Sequence, residues 1–182
     1  SLFLFRRPAT DAEVQSYVSM AGSAAETLGD FYAGLGAALV GMLVAPDFLF
    51  RVERDPPGVT ADTDYAVSDL ELASRLSFFL WASVPDRDLI DLAITGELSR
   101  PDVLEAQVRR MLAAPRSEAL APRFASQWLR LQDLDKIHPD VREYPDFDEQ
   151  LRAAMRRETE MLFENLLLED RSVLELIDAD YT

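Results

Sequence analysis

Three segments of the chain begin with the pattern Ser/Thr-x-x-Glu, the sequence feature that most constrains the fold. It occurs at Thr10 to Glu13, at Ser68 to Glu71 and at Ser172 to Glu175. In such a capping box the hydroxyl accepts a hydrogen bond from a free amide of the first turn, and the glutamate side chain reaches back. Apolar residues at helical spacing follow each box, so the pattern predicts three helix starts.

The hydrophobic periodicity extends this prediction along most of the chain. We predict helices over about 11–21, 25–45, 69–82, 86–94, 101–113, 117–131, 147–169 and 173–178. No segment shows sustained alternation of period two between turn residues, so a sheet is not expected. At most a short extended piece is expected near 48–52. The fold class predicted is therefore all-α, a multi-helix array.

Pro56, Pro57 and Gly58 stand in a stretch that is poor in apolar residues, which is typical of a linker. The sequence therefore predicts a small N-terminal helical unit over 1–54, a linker over 55–66 and a main helical domain over 67–182. We expect the main domain to be truncated at its C-terminus and the chain to be part of a longer protein.

The segment 31–50 is almost entirely apolar until Pro46 and Asp47 interrupt it. About fifteen apolar residues are too few for a membrane span, which requires roughly 20. We therefore predict a buried central helix here and no transmembrane segment.

The net charge of −15 disfavours nucleic-acid binding, because affinity for nucleic acid rests largely on neutralising phosphates. It disfavours an anionic membrane surface for the same reason. The absence of cysteine excludes disulfides, iron–sulfur ligation and a C-x-x-C-H haem attachment within this chain. No cofactor is therefore predicted in this segment.

Two charged residues interrupt apolar helical stripes. Arg75 falls between Leu72 and Phe79, and Glu158 falls between Met155 and Leu162. An unpaired charge at such a position is costly, so we predict that the two pair with each other or that each finds a partner of opposite sign. A buried ion pair is favoured over a catalytic role.

Other polar and aromatic residues give weaker indications. Glu160 and Glu164 are one helical turn apart, and a solvated face is favoured over paired catalytic carboxylates. The aromatic residues Trp81, Phe124 and Trp128 are interpreted as ordinary core and not as a cofactor box.

The loop around His138 is the remaining place where chemistry could reside. His138 is a candidate general base, although the sequence shows no partner that would orient it. Asp133 and Asp135 alternate as calcium ligands do, but Ile137 takes the next ligand position and no glycine follows. They remain weak candidates for a metal site.

Several longer motifs carry a family resemblance. They are FRRP at 5–8 with TDAEV at 10–14, PDFLFRVE at 46–53, LASRLSFFLWASVPD at 72–86, LEAQVRRML at 104–112, FASQWL at 124–129, LRAAMRRETE at 151–160 and DRSVLELIDADYT at 170–182. The chain resembles planctomycete- and myxobacterial-type uncharacterised exported proteins, in which domain of unknown function 1595 precedes domain of unknown function 1592. The resemblance implies an extracytoplasmic multidomain protein, often with a c-type cytochrome module, so haem c is expected elsewhere in the full-length protein.

Two functions follow from these observations. The favoured one is a helical scaffold or interaction module whose partners are other domains of the same full-length chain. The alternative is part of a redox or hydrolytic enzyme whose active site is completed by other segments. In that case Arg75, Glu158 and His138 would have to converge on one cleft.

Overall fold

The computed structural model describes residues 2–53, 55–56, 58–60 and 62–179, and within these ranges it contains helices and no strand. Parts of the predicted linker (Pro57 and Ala61) lie outside the described residues. The α-helices are α1 (Leu2–Phe5), α2 (Asp11–Leu28), α3 (Phe31–Leu43), α4 (Pro46–Leu49), α5 (Asp69–Trp81), α6 (Arg87–Thr95), α7 (Pro101–Leu112), α8 (Ser126–Trp128) and α9 (Glu149–Leu168). The all-α prediction is confirmed.

Local interactions determine where α2 begins and ends and where α3 begins. The Thr10 capping box forms: the Glu13 amide donates to the Thr10 hydroxyl at 3.3 Å, and the Thr10 amide donates to the Glu13 carboxylate at 2.8 Å. Gly29 ends α2 in the left-handed region at φ 65°, where glycine carries no steric penalty. Asp30 then caps α3 through the Tyr32 amide, so the predicted boundaries at 21 and 25 are wrong.

The other two predicted boxes have different outcomes. At Ser68 the reciprocal hydrogen bonds with Glu71 are present, and α5 follows. At Ser172 the hydroxyl accepts from the Leu174 amide instead, and only a 3₁₀ turn, Val173–Leu176, follows. The Glu175 carboxylate is held by Arg171 at 3.1 Å, so the third box is wrong as a helix start.

The predicted helix over 117–131 is also wrong as a continuous element. The chain forms a 3₁₀ helix at Pro115–Ala119, a π-helical turn at Ala121–Ala125 and then α8. Pro122 has no amide hydrogen, so it cannot supply the i→i−4 hydrogen bond of a regular helix. Arg130, at φ 56°, ends the segment before a further 3₁₀ helix, Leu131–Lys136.

The piece expected to be extended near 48–52 begins instead as a helix. Phe48 and Leu49 belong to the short helix α4, which Pro46 starts at its first position. Phe50, which follows it, has the extended backbone, at φ −119° and ψ 154°. Proline is favoured at the first helical position because its fixed φ suits the helix and its missing amide is not needed there.

The chain divides into two compact units. One comprises Ser1–Phe78 with Ser83–Glu105, and the other comprises Phe79–Ala82 with Ala106–Thr182. In the first unit Leu89, Ile90 and Leu98 are fully buried. In the second the buried apolar residues are Leu80, Trp81, Met111, Leu120, Ala121, Ala125, Leu131 and Leu166. Of the three aromatic residues interpreted as core, Trp81 is buried, whereas Phe124 and Trp128 are partly exposed.

Replacing Trp81 with phenylalanine is expected to lower the free energy of unfolding by about 2 kcal/mol. The Trp81 side chain is only 4% exposed, and its indole nitrogen donates to the Met111 carbonyl at 2.9 Å. Phenylalanine removes this donor, leaves the carbonyl with the longer hydrogen bond from the Ala114 amide at 3.3 Å, and creates a small void beside it. Urea unfolding followed by far-UV circular dichroism measures the loss. Trp128→Phe, at an exposed position, is the matched control; equal losses in the two variants would contradict the prediction.

Candidate functional site

The first unit contains a cavity of about 570 Å³ whose wall is rich in charged residues. Its lining includes Arg6, Arg7, Asp47, Arg51, Glu53, Asp55, Ser68, Glu71, Ser74 and Arg75. Among these side chains Arg7 binds Asp47 and Arg75 binds Glu53, while Glu71 binds Ser68. The cavity is therefore a candidate site only if some of these groups are free to bind a ligand.

Arg75, one of the predicted site residues, lies at this cavity but not in the interior. Its guanidinium is half exposed and binds both oxygens of Glu53, at 2.7 and 2.5 Å. The interaction lowers the pKa of Glu53 and raises that of Arg75. The predicted buried position is wrong, although the prediction of an acidic partner is confirmed. The pair joins α5 to the segment after α4.

Arg6 and Arg7 fasten the N-terminal helices together. Arg6 is buried and donates to the carbonyls of Asp47 and Phe50, at 2.5 and 2.9 Å. Burial lowers the pKa of its guanidinium, and the charge of Asp47 opposes the shift. Arg7 binds both oxygens of Glu13 and one oxygen of Asp47. Both arginines are thus engaged in holding α1, α2 and α4.

The Glu13 carboxylate makes the stability of the first unit dependent on acid pH. The hydrogen bonds from Arg7 lower the pKa of Glu13 from 4.5 to about 2. A lowered native pKa stabilises the fold fully above about pH 4.5, and the contribution is lost as the pH falls toward 2. Glu13→Gln keeps an acceptor for the Thr10 amide but removes the charge. We expect wild type to lose more stability than this variant between pH 7 and pH 3 in urea unfolding; parallel losses would contradict it.

The loop with His138 does not form a site of the predicted kind. His138 is exposed, and its Nδ1 lies 3.0 Å from the Lys136 carbonyl. Asp133 is held by Lys136 and Arg130, at 2.8 and 2.7 Å, and these bonds lower its pKa. Asp135 accepts from Arg156 at 2.6 Å. Over the described residues, no group of three or more potential metal ligands is gathered.

Glu158 is exposed on α9, so its predicted position on a buried face is wrong. The carboxylate that turns inward on this helix is Glu160, whose side chain is only 13% exposed. It accepts from the Ser126 hydroxyl at 3.1 Å, and Glu164 is bound by Arg157 at 2.9 Å. The interpretation of Glu160 and Glu164 as a solvated face is therefore also wrong. Residues 158 and 160 lie about 200° apart around a helix, so the stripe pattern predicts the wrong side of α9 as the packed one at this position.

A second group of polar residues surrounds an open groove in the second unit. Arg123, Ser126, Gln127, Gln132, Asp135, Arg156 and Glu160 line it. The π-helical turn contributes to this wall, and such turns often occur at functional positions. The carboxylates in the groove are already bound, Asp135 to Arg156 and Glu160 to Ser126. We therefore interpret these hydrogen bonds as a structural network that joins α9 to the segment before it.

The exposed surface of α3 differs from both polar clusters because no described residue of the first unit covers its side chains. Gly34 and Ala38 are buried on the side that packs against α2. Six large apolar residues of this helix are exposed: Phe31, Tyr32, Leu35, Leu39, Val40 and Leu43. Tyr32 is 79% exposed and Phe31 is 67% exposed. We call these six residues the α3 face. The prediction of a buried central helix is wrong.

The spacing of small residues in the sequence indicates which side of α3 is packed, whereas hydrophobic periodicity does not. A helix that is apolar on all sides is usually buried, and that general rule produced the wrong prediction. Three of the small residues, however, share one side: Gly34, Ala38 and Gly41 recur at spacings of four and three. Small residues at such spacing allow two helices to approach closely, so they mark the packed side. Among the described residues no helix is long and apolar enough to cross a membrane.

Comparison with known families matches nearly the whole chain. The family described as PSD4, protein of unknown function (DUF1592), matches residues 67–182. A second family, PSD5, protein of unknown function (DUF1595), matches residues 3–53 and so precedes it. These matches confirm the resemblance carried by the sequence motifs. No curated protein and no solved structure matches the chain.

Proposed function

Because the chain belongs to the PSD4 family of proteins of unknown function (DUF1592), for which no activity is described, we propose a function from its exposed surface. The protein is a helical interaction module of a larger extracytoplasmic bacterial multidomain protein. The observation that carries this proposal is the α3 face, which exposes six large apolar side chains on one short helix.

An exposed apolar surface of this kind favours binding over display to solvent. Contiguous apolar patches on soluble proteins commonly mark interaction sites, and aromatic residues dominate the energetics of such sites. Phe31 and Tyr32 stand together at the start of α3, with their ring centroids 5.7 Å apart in an edge-to-face arrangement. Each offers a large, rigid contact area that is largely in water when the site is empty.

The charged clusters support a scaffold in preference to a catalytic centre. Within the described residues, Arg6, Arg7 and Arg75 hold carbonyls or carboxylates that link one helix or segment to another. His138 is exposed on a loop and lines none of the cavities described above. These side chains stabilise the helical array.

The cellular context is part of the proposal. We place the protein outside the cytoplasm, in the periplasm or at the cell surface, with haem c carried by another domain of the full-length protein. Cell fractionation with an antibody to this chain tests the location. The full-length gene tests the rest: a signal sequence and a C-x-x-C-H motif are expected, and their joint absence would overturn this context.

Photo-crosslinking in the native bacterium tests the interaction role. A benzophenone side chain replaces Leu35 on the α3 face, and the control places it at Asp88, an exposed position on α6. We expect a discrete crosslink from position 35, mapped by peptide mass spectrometry to another domain of the same longer polypeptide. No crosslink from position 35, or equal yields at both positions, would overturn the proposal.

A further inference from the structure

We infer that the α3 face binds a partner helix whose apolar side is flanked by lysine or arginine. The inference rests on the proposed interaction role and adds the chemistry of the partner. Two independent features carry it: the shape of the α3 face, and the charge of the α2–α3 hairpin around it.

The shape of the α3 face fits a helical partner. Four residues at positions i, i+3, i+4 and i+7 of a helix surround a hole that accepts one side chain of a facing helix. On α3 these are Tyr32, Leu35, Gly36 and Leu39. A methyl group built on Gly36 would meet nothing within 4 Å, so this corner of the hole is open. A large apolar side chain of a partner helix can therefore sit over Gly36 between Tyr32 and Leu39.

The length and backbone of α3 also favour a helix over a strand. Thirteen residues form about 20 Å of helix, which matches three to four turns of a partner. An added β-strand would need unpaired backbone donors and acceptors along a sheet edge. The interior of α3 offers none, because its amides and carbonyls are used within the helix.

The hairpin around the α3 face carries acidic groups and no basic ones. Residues 11–45, which comprise α2, α3 and their flanks, contain Asp11, Glu13, Glu26 and Asp30 but no lysine or arginine. Arg7 offsets the charge of Glu13, so the other three carboxylates carry the acidic character of the hairpin. Glu26 and Asp30 are exposed near the turn that joins α2 to α3, and Asp30 directly precedes Phe31. Basic residues flanking an apolar partner face would lie opposite these carboxylates, which aids association and fixes orientation.

The same charges argue against two other occupants. A second copy of the chain would bring the same acidic groups to the interface, and each copy carries a net charge of −15. A membrane with anionic lipid would repel the hairpin. A helix of another protein segment with basic residues beside its apolar side would complement both the α3 face and the acidic residues of the hairpin.

Designed peptides test the inference directly. Two fluorescent helical peptides share one leucine face and differ only in their flanks, which are lysine in one and glutamate in the other. Fluorescence anisotropy with the whole protein is expected to show about tenfold tighter binding of the lysine peptide. Salt at about 0.5 M is expected to remove most of that preference, because it screens exposed charges.

Two protein variants assign the binding to the α3 face. Gly36→Leu fills the hole at a position open to solvent, and we expect it to weaken the lysine peptide about tenfold without loss of helix content. The double variant Glu26→Gln with Asp30→Asn removes the two charges; asparagine keeps the cap on α3. We expect it to bring the lysine peptide close to the affinity of the glutamate peptide. Hydrogen exchange of α3 confirms that each variant keeps the fold.

Each remaining outcome has a defined meaning. Equal binding of the two peptides, or binding unaffected by Gly36→Leu, overturns the inference. Dimerisation in sedimentation that Gly36→Leu abolishes assigns the face to a second copy, and binding to phosphatidylcholine or phosphatidylglycerol vesicles assigns it to lipid; both overturn it. A crosslink from position 35 without peptide preference leaves the interaction role intact and rejects only the partner chemistry. No crosslink and no peptide binding reject both.

Discussion

Replacing Gly34 with alanine is expected to lower the free energy of unfolding of the first unit by about 3 kcal/mol. Gly34 is buried where α3 meets α2. The added methyl carbon would stand 2.5 Å from the Ala21 carbonyl oxygen and 2.7 Å from the Ala25 methyl group. Neither neighbour is the end of a flexible side chain, so the two helices must separate. Their packed surface would then be partly lost.

The other glycines of α3 are matched controls for this prediction. Gly36→Ala meets open space and is expected to stabilise the helix by about 1 kcal/mol, the usual advantage of alanine over glycine. Gly41→Ala would meet the Met20 sulfur at 2.7 Å, but that side chain can move, so an intermediate loss is expected.

Hydrogen exchange of the α2 and α3 amides, read by mass spectrometry, measures these changes within one unit of a two-unit chain. Urea unfolding followed by circular dichroism provides the overall loss. Equal protection of these amides in the Gly34→Ala and Gly36→Ala variants would contradict the close approach of α3 to α2 at Gly34.

Replacing Arg6 with methionine is expected to cost about 3 kcal/mol, the second large effect. Methionine keeps most of the apolar stem but removes the charged donors. The carbonyls of Asp47 and Phe50 then lose a charge-assisted hydrogen bond each. We expect α1 and α4 to open locally, because the Arg6 side chain, which follows α1 directly, donates to carbonyls at the start of α4 and just after it.

Arg51→Met is the control for the Arg6 variant. Both guanidinium groups lie over the Phe78 ring, at 5.8 Å for Arg6 and 5.4 Å for Arg51. Arg51 is exposed, so its loss is expected to cost less than about 1 kcal/mol. Faster hydrogen exchange of residues 46–50 in the Arg6 variant alone is the expected result. A similar effect in both variants would attribute the stability to the ring contact and not to the carbonyls.

Helical spacing predicts the wrong environment for two charged residues. It puts Arg75 and Glu158 on inward faces because apolar neighbours stand three and four residues away. Periodicity reports which residues share a face, but it does not report whether another element covers that face. Arg75 is exposed and binds Glu53, 22 residues earlier in the chain. On α9 the carboxylate on the packed side is that of Glu160 and not Glu158, and it accepts a hydrogen bond from Ser126.

Local chemistry determined where most helices begin. Thr10 and Ser68 determine helix starts through hydrogen bonds to residues three positions away, so these starts can be predicted from the sequence alone. Asp30, Asp86 and Asp148 cap helices by the same chemistry. Pro122 broke the predicted helix at 117–131 for an equally local reason, which the apolar spacing concealed.

Only the tertiary structure decided which apolar surface is packed and which is left open. Helix α3 is apolar on every side, so its hydrophobicity is the same whether it is buried or exposed. The close approach of Gly34 to Ala21 turned one side toward α2 and left Tyr32 and Leu35 in solvent. Burial depends on contacts between residues distant along the chain, whereas helix capping depends on neighbours. The sequence alone therefore determined the helices, and packing determined the surface through which this protein is proposed to bind.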